Sequence, residues 1–298
     1  MKQSREDKRS DKVVDYEDYA RELTSDENDS KWHAGTLLVL LGILILVGAL
    51  IFVLPGFKVA EIEVVGASQL DPDAILYYSG LETGQHLFTD WGGSLASWLG
   101  FRYASAEENI SSASPYLKSV RVQMSFPSKI KITLVERVAT TYMQLEDAAH
   151  ILMDQDGYVL DIKEGKAPDG IPMLVGIQIE AAEIGSKIVS GSLESIDFAL
   201  DLLDSIIRSD RAAADDFSLL SCIEEIRVPG GDHSYLKINL LSSEIPIHAK
   251  LGDSYSLDDA LNWLRYTIRT EKIDNLGAGV LDLSGDEYIF IKDKEEGS

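Results

Sequence analysis

Residues 120–137 read VRVQMSFPSKIKITLVER. Two alternating polar and apolar runs, Val120–Ser125 and Lys129–Val135, flank the triplet Phe126-Pro127-Ser128. A strand with one buried face needs period-two alternation, and a proline-containing triplet between two such runs turns the chain. The stretch therefore predicts an antiparallel hairpin. Upstream, residues 57–66 (FKVAEIEVVG) alternate in the same way and end on a glycine, which predicts another strand. Between these strands the punctuation is helical. Ser68 or Asp71 offers a cap, Pro72 fits a first turn and Gly80 terminates a short helix over 72–80. Residues 105–117 form a second helical stretch, with Ser105 as a cap and Glu108 three residues on, a capping-box spacing. The unit reads β-α-α-β-β within about 80 residues.

Just before it stands residues 36–54, TLLVLLGILILVGALIFVL, nineteen uncharged positions of which fifteen are Leu, Ile, Val or Phe. A helix rises about 1.5 Å per residue, so this run spans roughly 29 Å, close to the roughly 30 Å hydrocarbon core of a bilayer. The reading is a single transmembrane helix within residues 33–56. Residues 1–32 carry seven Lys and Arg, whereas the first sixty residues after the run carry two, Lys58 and Arg102. The positive-inside rule puts the N-terminus in the cytoplasm and everything from residue 57 outside it. The exit Leu54-Pro55-Gly56-Phe57-Lys58 lacks an A-x-A-like cleavage site, which favours an uncleaved anchor. The tail 1–32 is polar and mixed in charge, and reads as disordered.

The chain carries a net charge of −23, of which the tail contributes −3. So acidic an exported region argues against nucleic acid or anionic lipid as a partner, because those sites need clusters of Lys and Arg. One cysteine, Cys222, excludes an intramolecular disulfide, so a hydrophobic core must hold the exported region.

Residues 138–176 hold short apolar runs broken by Asp-Gly and Pro, which predict strands. In 193–207 the apolar positions 193, 196, 199, 200, 203, 206 and 207 fall on one helical face. Cys222–Val228, Tyr235–Leu240 and Ile245–Leu251 read as strands. Leu257–Ile268 reads as a helix capped by Ser256, with Asp258 and Asp259 in its first turn. Val280–Leu283 and Tyr288–Ile291 complete an α+β domain with a mostly antiparallel sheet over 138–292, and 293–298 is a flexible end.

No catalytic constellation stands out. His33, His86, His150, His233 and His248 are scattered without metal-ligand spacing. Asp154-Gln155-Asp156-Gly157 begins like a calcium loop, but its glycine comes too early and no glutamate follows at the required distance, so a tight hairpin turn fits better. Neither a nucleophile elbow, a P-loop nor a dinucleotide fingerprint occurs, and Cys222 sits in an apolar run as a core residue. No cofactor, metal or small-molecule substrate is expected.

The words Val64-Val65-Gly66, Ser79-Gly80-Leu81, Gly84 with Leu87-Phe88, Pro115-Tyr116-Leu117, Val120-Arg121-Val122 and Phe126-Pro127-Ser128-Lys129-Ile130 leading to Glu136-Arg137 occur in that order. They resemble the POTRA module of the FtsQ/DivIB cell-division proteins, which also follows a membrane span. Residues 152–160 (LMDQDGYVL), 171–176 (IPMLVG), 249–252 (AKLG) and 280–283 (VLDL) are similar to words in that family's second, β-rich domain. The likeness covers about residues 36–292. It departs in two places: Asp253-Ser254-Tyr255-Ser256 stands where the family often has a Lys-bearing helix start, and 89–104 (TDWGGSLASWLGFRYA) looks inserted. The inserted aromatics either rest on the outer leaflet, since Trp and Tyr favour the membrane interface, or cover the module's own core; self-packing is the favoured reading.

The resemblance implies a POTRA domain over 57–137 and a β domain over 138–292. It implies a non-enzymatic, single-pass scaffold at the division septum that holds FtsB/DivIC-type and FtsL-type single-span partners and supports septal peptidoglycan synthesis. In that family the terminal strand and the helix before it receive the FtsB/DivIC partner. By position this implies Asp282, Ser284, Tyr288 and Phe290, with helix 257–269 beside them. Tyr288 and Phe290 could equally fill the sheet's second face. Two alternatives are a membrane-anchored extracytoplasmic cell-wall enzyme, for which no convergent residues are visible, and a POTRA-type transport chaperone, which normally carries tandem modules or a β-barrel.

Overall fold

The computed structural model describes residues 35–50, 55–145, 148–229, 233–240, 243, 245–252 and 257–293. Residues 35–50 form a helix, α1, whose apolar side chains from Leu37 to Leu50 stand exposed. Among the described residues no helix is long and apolar enough to cross a membrane. The rest of the apolar run, residues 51–54, lies outside the described residues, as do the tail 1–32, the expected cap Ser256 with the Asp253–Ser256 departure, and 294–298.

A 3-10 turn, Pro55–Phe57, leads into the first module. Its sheet has β1 (Glu61–Val65), β2 (Leu117–Ser125) and β3 (Lys129–Glu136) in the order β1-β3-β2. β3 pairs parallel with β1 and antiparallel with β2, whose hairpin turns at Phe126-Pro127-Ser128 as the alternation predicts. α2 (Pro72–Ser79) starts where Asp71 accepts the Asp73 N–H at 3.0 Å and stops at Gly80 with φ +66°. Only a residue free of a Cβ adopts that left-handed stop without strain. Ser68, the other expected cap, serves elsewhere: its N–H and hydroxyl both donate to Glu136.

Three differences from the sequence reading have local causes. α4 spans Ala104–Ala113 instead of 105–117, and Pro115 stops it, because a proline disfavours helical backbone in the residue before it. The capping box does not form. Tyr103 occupies the cap position without a side-chain bond, and Glu107 turns to Arg102 and to the Val122 N–H. The insertion contributes a short helix, α3 (Leu95–Leu99), so the module runs β-α-α-α-β-β. Its last residues seal the free side of β2: the Tyr103 N–H donates to Val122 O and the Met124 N–H to Phe101 O, each at 2.9 Å. Tyr103 is fully buried with Leu87, Ile110, Val122, Ile130 and Ile132, and its hydroxyl donates to Leu87 O.

The second domain is a nine-stranded sheet in the order β14-β13-β12-β11-β10-β7-β4-β5-β6. The early strands are β4 (Thr141–Gln144), β5 (Ala149–Met153), β6 (Val159–Glu164) and β7 (Met173–Val175). The late strands are β10 (Ile223–Arg227), β11 (Ser234–Ile238), β12 (Ile247–Leu251), β13 (Gly279–Asp282) and β14 (Ile289–Lys292). β7 pairs parallel with both β4 and β10 and so welds the two groups into one sheet. Five of the eight pairings are antiparallel, and a separate ribbon joins β8 (Ile179–Ala181) to β9 (Val189–Ser190). The Asp-Gly word is the expected tight turn: Asp154 accepts the Asp156 and Tyr158 N–H groups, and Gly157 has φ +79°.

α5 (Leu193–Ala212) and α6 (Leu257–Arg269) pack together over one face of this sheet. Leu202, Leu203 and Ile206 of α5 and Leu261 and Leu264 of α6 join Leu236, Ala249 and Leu281 in a continuous core. Burying a Leu or Ile side chain contributes about 1.5–3 kcal/mol, so this face supplies much of the domain's stability. The helix pair also shares a polar clasp. Arg265 of α6 is buried and donates to Asp210 of α5, to Asp215 and to Phe217 O.

Candidate partner interface

The late part of the chain forms one end of the large sheet. β14 pairs with β13 on one side and, among the described residues, has no strand on its other side. The register sets Val280 opposite Ile291 and Leu281 opposite Phe290, and the Asp293 N–H donates to Ala278 O at 3.1 Å. In an antiparallel ladder opposed pairs alternate between bonded and non-bonded. Since 278 and 293 are a bonded pair, 280 and 291 are bonded, and Phe290 falls in a non-bonded pair. Its N–H and C=O point away from β13, toward the open edge.

The same alternation sorts the side chains. Phe290 and Tyr288 lie on the helix face and pack against the core. The Tyr288 ring meets Trp263 of α6 edge-on, with centroids 5.0 Å apart. Ile289 and Ile291 lie on the opposite face and are each 55 % exposed, unusual for isoleucine in a strand. Beside them on that face, Val280, His248 and Tyr235 line a shallow depression of about 630 Å³ with Lys237, Glu225 and Arg227. Asp282 belongs to this face too. Its carboxylate accepts from the Ser284 hydroxyl and N–H and from Lys250 Nζ at 3.2 Å, and these bonds, the hydroxyl's first, hold it below the usual carboxylate range.

The four positions implied by the resemblance therefore divide. Asp282 and Ser284 are bonded to each other at the turn after β13. Tyr288 and Phe290 show their side chains to α6 and the core, and Phe290 shows its backbone to the open edge. Ile289 and Ile291 were not singled out from the sequence. Their signal was two β-branched residues at alternate positions in a strand whose other positions are aromatic, so both faces of β14 are apolar.

Among the described residues, no group of three or more His, Cys, Asp or Glu is placed to share a metal ion. Cys222 is buried, and burial pushes its thiol up.

The pattern of residues 57–137 matches the family model described as the POTRA domain, FtsQ-type. Curated relatives include the cell division protein FtsQ of Corynebacterium glutamicum, 29 % identical over 205 residues, which is 69 % of this chain and 77 % of that protein. The cell division protein DivIB of Clostridium tetani is 24 % identical over 259 residues, 86 % of each chain. FtsQ of Syntrophotalea carbinolica is 27 % identical over 221 residues, 69 % of this chain and 71 % of that one. Residues 57–137 are thus an FtsQ-type POTRA module, and the chain as a whole is similar to the FtsQ and DivIB cell division proteins.

In this FtsQ-type module the Glu136-Arg137 word acquires a structural meaning. The Glu136 carboxylate gathers the N–H groups of Ser68, Gln69 and Leu70 and the Ser68 hydroxyl, and so pins the loop between β1 and α2. Burial alone would raise this carboxyl, but the hydroxyl and the three N–H groups outweigh it and hold it low. Arg137 reaches the other way. Its guanidinium donates to Asp154, lies 3.5 Å from Asp156 and stacks 3.7 Å over the Tyr158 ring, all in the second domain. Lys118 adds a bond to Asp156 at 2.6 Å. These contacts join the first module to the second domain.

Proposed function

We propose that this protein is a non-enzymatic, single-pass membrane scaffold of the division machinery that receives an FtsB/DivIC-type partner at the β14 edge, with an FtsL-type chain in the same assembly. The observation that carries the reading is the edge itself. β14 combines outward-facing backbone groups at Phe290 with exposed isoleucines on one face and the α6 helix on the other. An extended segment adding as a further strand would satisfy that backbone and cover Ile289 and Ile291. In this reading Tyr288 and Phe290 hold the edge in place from behind, and Asp282 and Ser284 shape its face. The apolar run 36–54 and the Lys and Arg excess before it support an anchor with the N-terminus inside the cell and the sheet outside, at the septum. Such a scaffold influences septal wall synthesis by what it holds.

The test is co-purification of the full chain with its DivIC-type and FtsL-type partners. An Ile289→Asp/Ile291→Asp chain should lose the DivIC-type partner by about tenfold or more while melting as the wild type does, since both side chains are exposed. Undiminished capture by that variant would exclude β14 as the interface.

A further inference from the structure

The FtsQ-type module carries a second apolar surface that partner binding at β14 leaves unexplained. Six aromatic rings form a connected group at one end of the module. Phe57 meets Phe88 at 6.1 Å, Phe88 meets Trp91 at 5.4 Å, and Trp91 stacks on Trp98 at 5.2 Å and on Phe101 at 6.0 Å. Phe126, at the β2–β3 turn, closes against Phe101 and Phe88. The inner members are half-buried against the module's core. The outer ones are not: Leu95, Trp98 and Leu99 are 76 %, 52 % and 65 % exposed, and Phe101 and Phe126 are exposed beside them.

Leu95, Trp98 and Leu99 stand at i, i+3 and i+4 of α3 and so share one helical face. Residues 91–101 contain no charged side chain. The first charge after them, Arg102, is half-buried and salt-bridged to Glu107. A soluble surface rarely leaves Trp, two Leu and two Phe contiguous and uncovered.

The position decides what covers them. Phe57 is the first ring of the group, and it follows the apolar run 36–54 after Pro55 and Gly56 alone. We propose that the α3 insertion is a membrane foot: it lays Leu95, Trp98, Leu99, Phe101 and Phe126 into the outer-leaflet interface of the bilayer that holds residues 36–54. The inference rests on the membrane-anchored reading above. Tryptophan suits the interfacial zone, and an uncharged face can enter it without stripping water from ions. The contact is apolar, because the exported region is strongly acidic and gains nothing from anionic headgroups.

The test uses the full chain in phosphatidylcholine vesicles. Leu95→Cys, in a Cys222→Ala background, carries an environment-sensitive NBD label, and Tyr77→Cys, equally exposed on α2, is the control. The expected result is blue-shifted emission at Leu95, quenched by doxyl-labelled lipid about twofold or more beyond Tyr77 and unchanged by added salt. Equal quenching at the two positions, in a chain that resists alkaline carbonate extraction, overturns the foot and leaves the anchor standing. A blue-shifted Leu95 label that lipid quenchers do not reach also overturns it, and points to a second protein chain on the patch. Release of the chain by carbonate overturns both readings.

Discussion

Glu136 faces back into the first module and Arg137 forward into the second. Changing Glu136 to Ala leaves three loop N–H groups without their acceptor, at a cost of about 1–2 kcal/mol measured by denaturant unfolding. Because the folded state lowers the Glu136 carboxyl, its contribution is full above the unfolded value of about 4.3 and is lost as pH falls through the lower folded value. Wild-type stability should therefore decline in that acid window more steeply than that of Glu136→Gln, as acid titrations of denaturant midpoints would show. A second residue-scale outcome concerns Arg265. Arg265→Met removes the cation beside Asp210, which keeps the Ser218 hydroxyl and the Leu219 and Leu220 N–H groups, and half of the Asp215 pairing. Both carboxylates keep some access to water, and Asp215 keeps Arg269, so the loss should be about 2–3 kcal/mol, read as a lower urea midpoint with an unchanged slope. Neither pairing was legible in the sequence. Ser68 and Glu136 lie 68 residues apart and Arg265 and Asp210 lie 55 apart, and no local pattern selects one carboxylate among so many. The Asp71 cap, the Gly80 stop and the Asp154–Gly157 turn were legible because their partners lie within four residues.

Strands and helices show the same division between local and distant causes. The β2–β3 hairpin, α5 and α6 announce themselves by period, since each has one face toward a core. The place of β7 between β4 and β10 does not, because three residues in parallel pairing carry almost no pattern of their own. α3 was hidden for another reason: it packs through aromatic rings, and the residues just after it bond the side of β2, which no periodicity encodes. β14 was placed correctly, but its exposed isoleucines became visible only once its register was known. Gly279 makes this element sensitive. A Cβ there would stand 2.5 Å from Ile291 O and 2.6 Å from the Phe290 ring. Gly279→Ala should push β14 outward and weaken partner capture together with stability, whereas Tyr288→Ala should cost about 1–2 kcal/mol through the lost Trp263 contact. Thermal melts run beside co-purification separate these effects from those of the isoleucine variant, which leaves stability intact.

At the scale of the whole molecule, Arg137, Asp154, Asp156, Tyr158 and Lys118 couple the two domains. Arg137→Ala should leave each domain's own core intact and loosen their relation, seen as faster proteolysis between residues 137 and 141 and a broader distance distribution between spin labels on the two domains. The sheets also differ in how their margins are finished. The side of β2 is closed by residues 101–103, the start of β6 is closed where the Val159 N–H meets Ser186 O, and β1 presents Glu61 and Glu63. Among the described residues β14 has no such cover, and it offers isoleucine at 289 and 291. A margin of this kind accepts one strand at a time. Any chain docked there blocks every other, so the proposed partner and the β14 of another copy would compete for a single berth. Self-association of the protein should then fade in proportion as its partner is supplied.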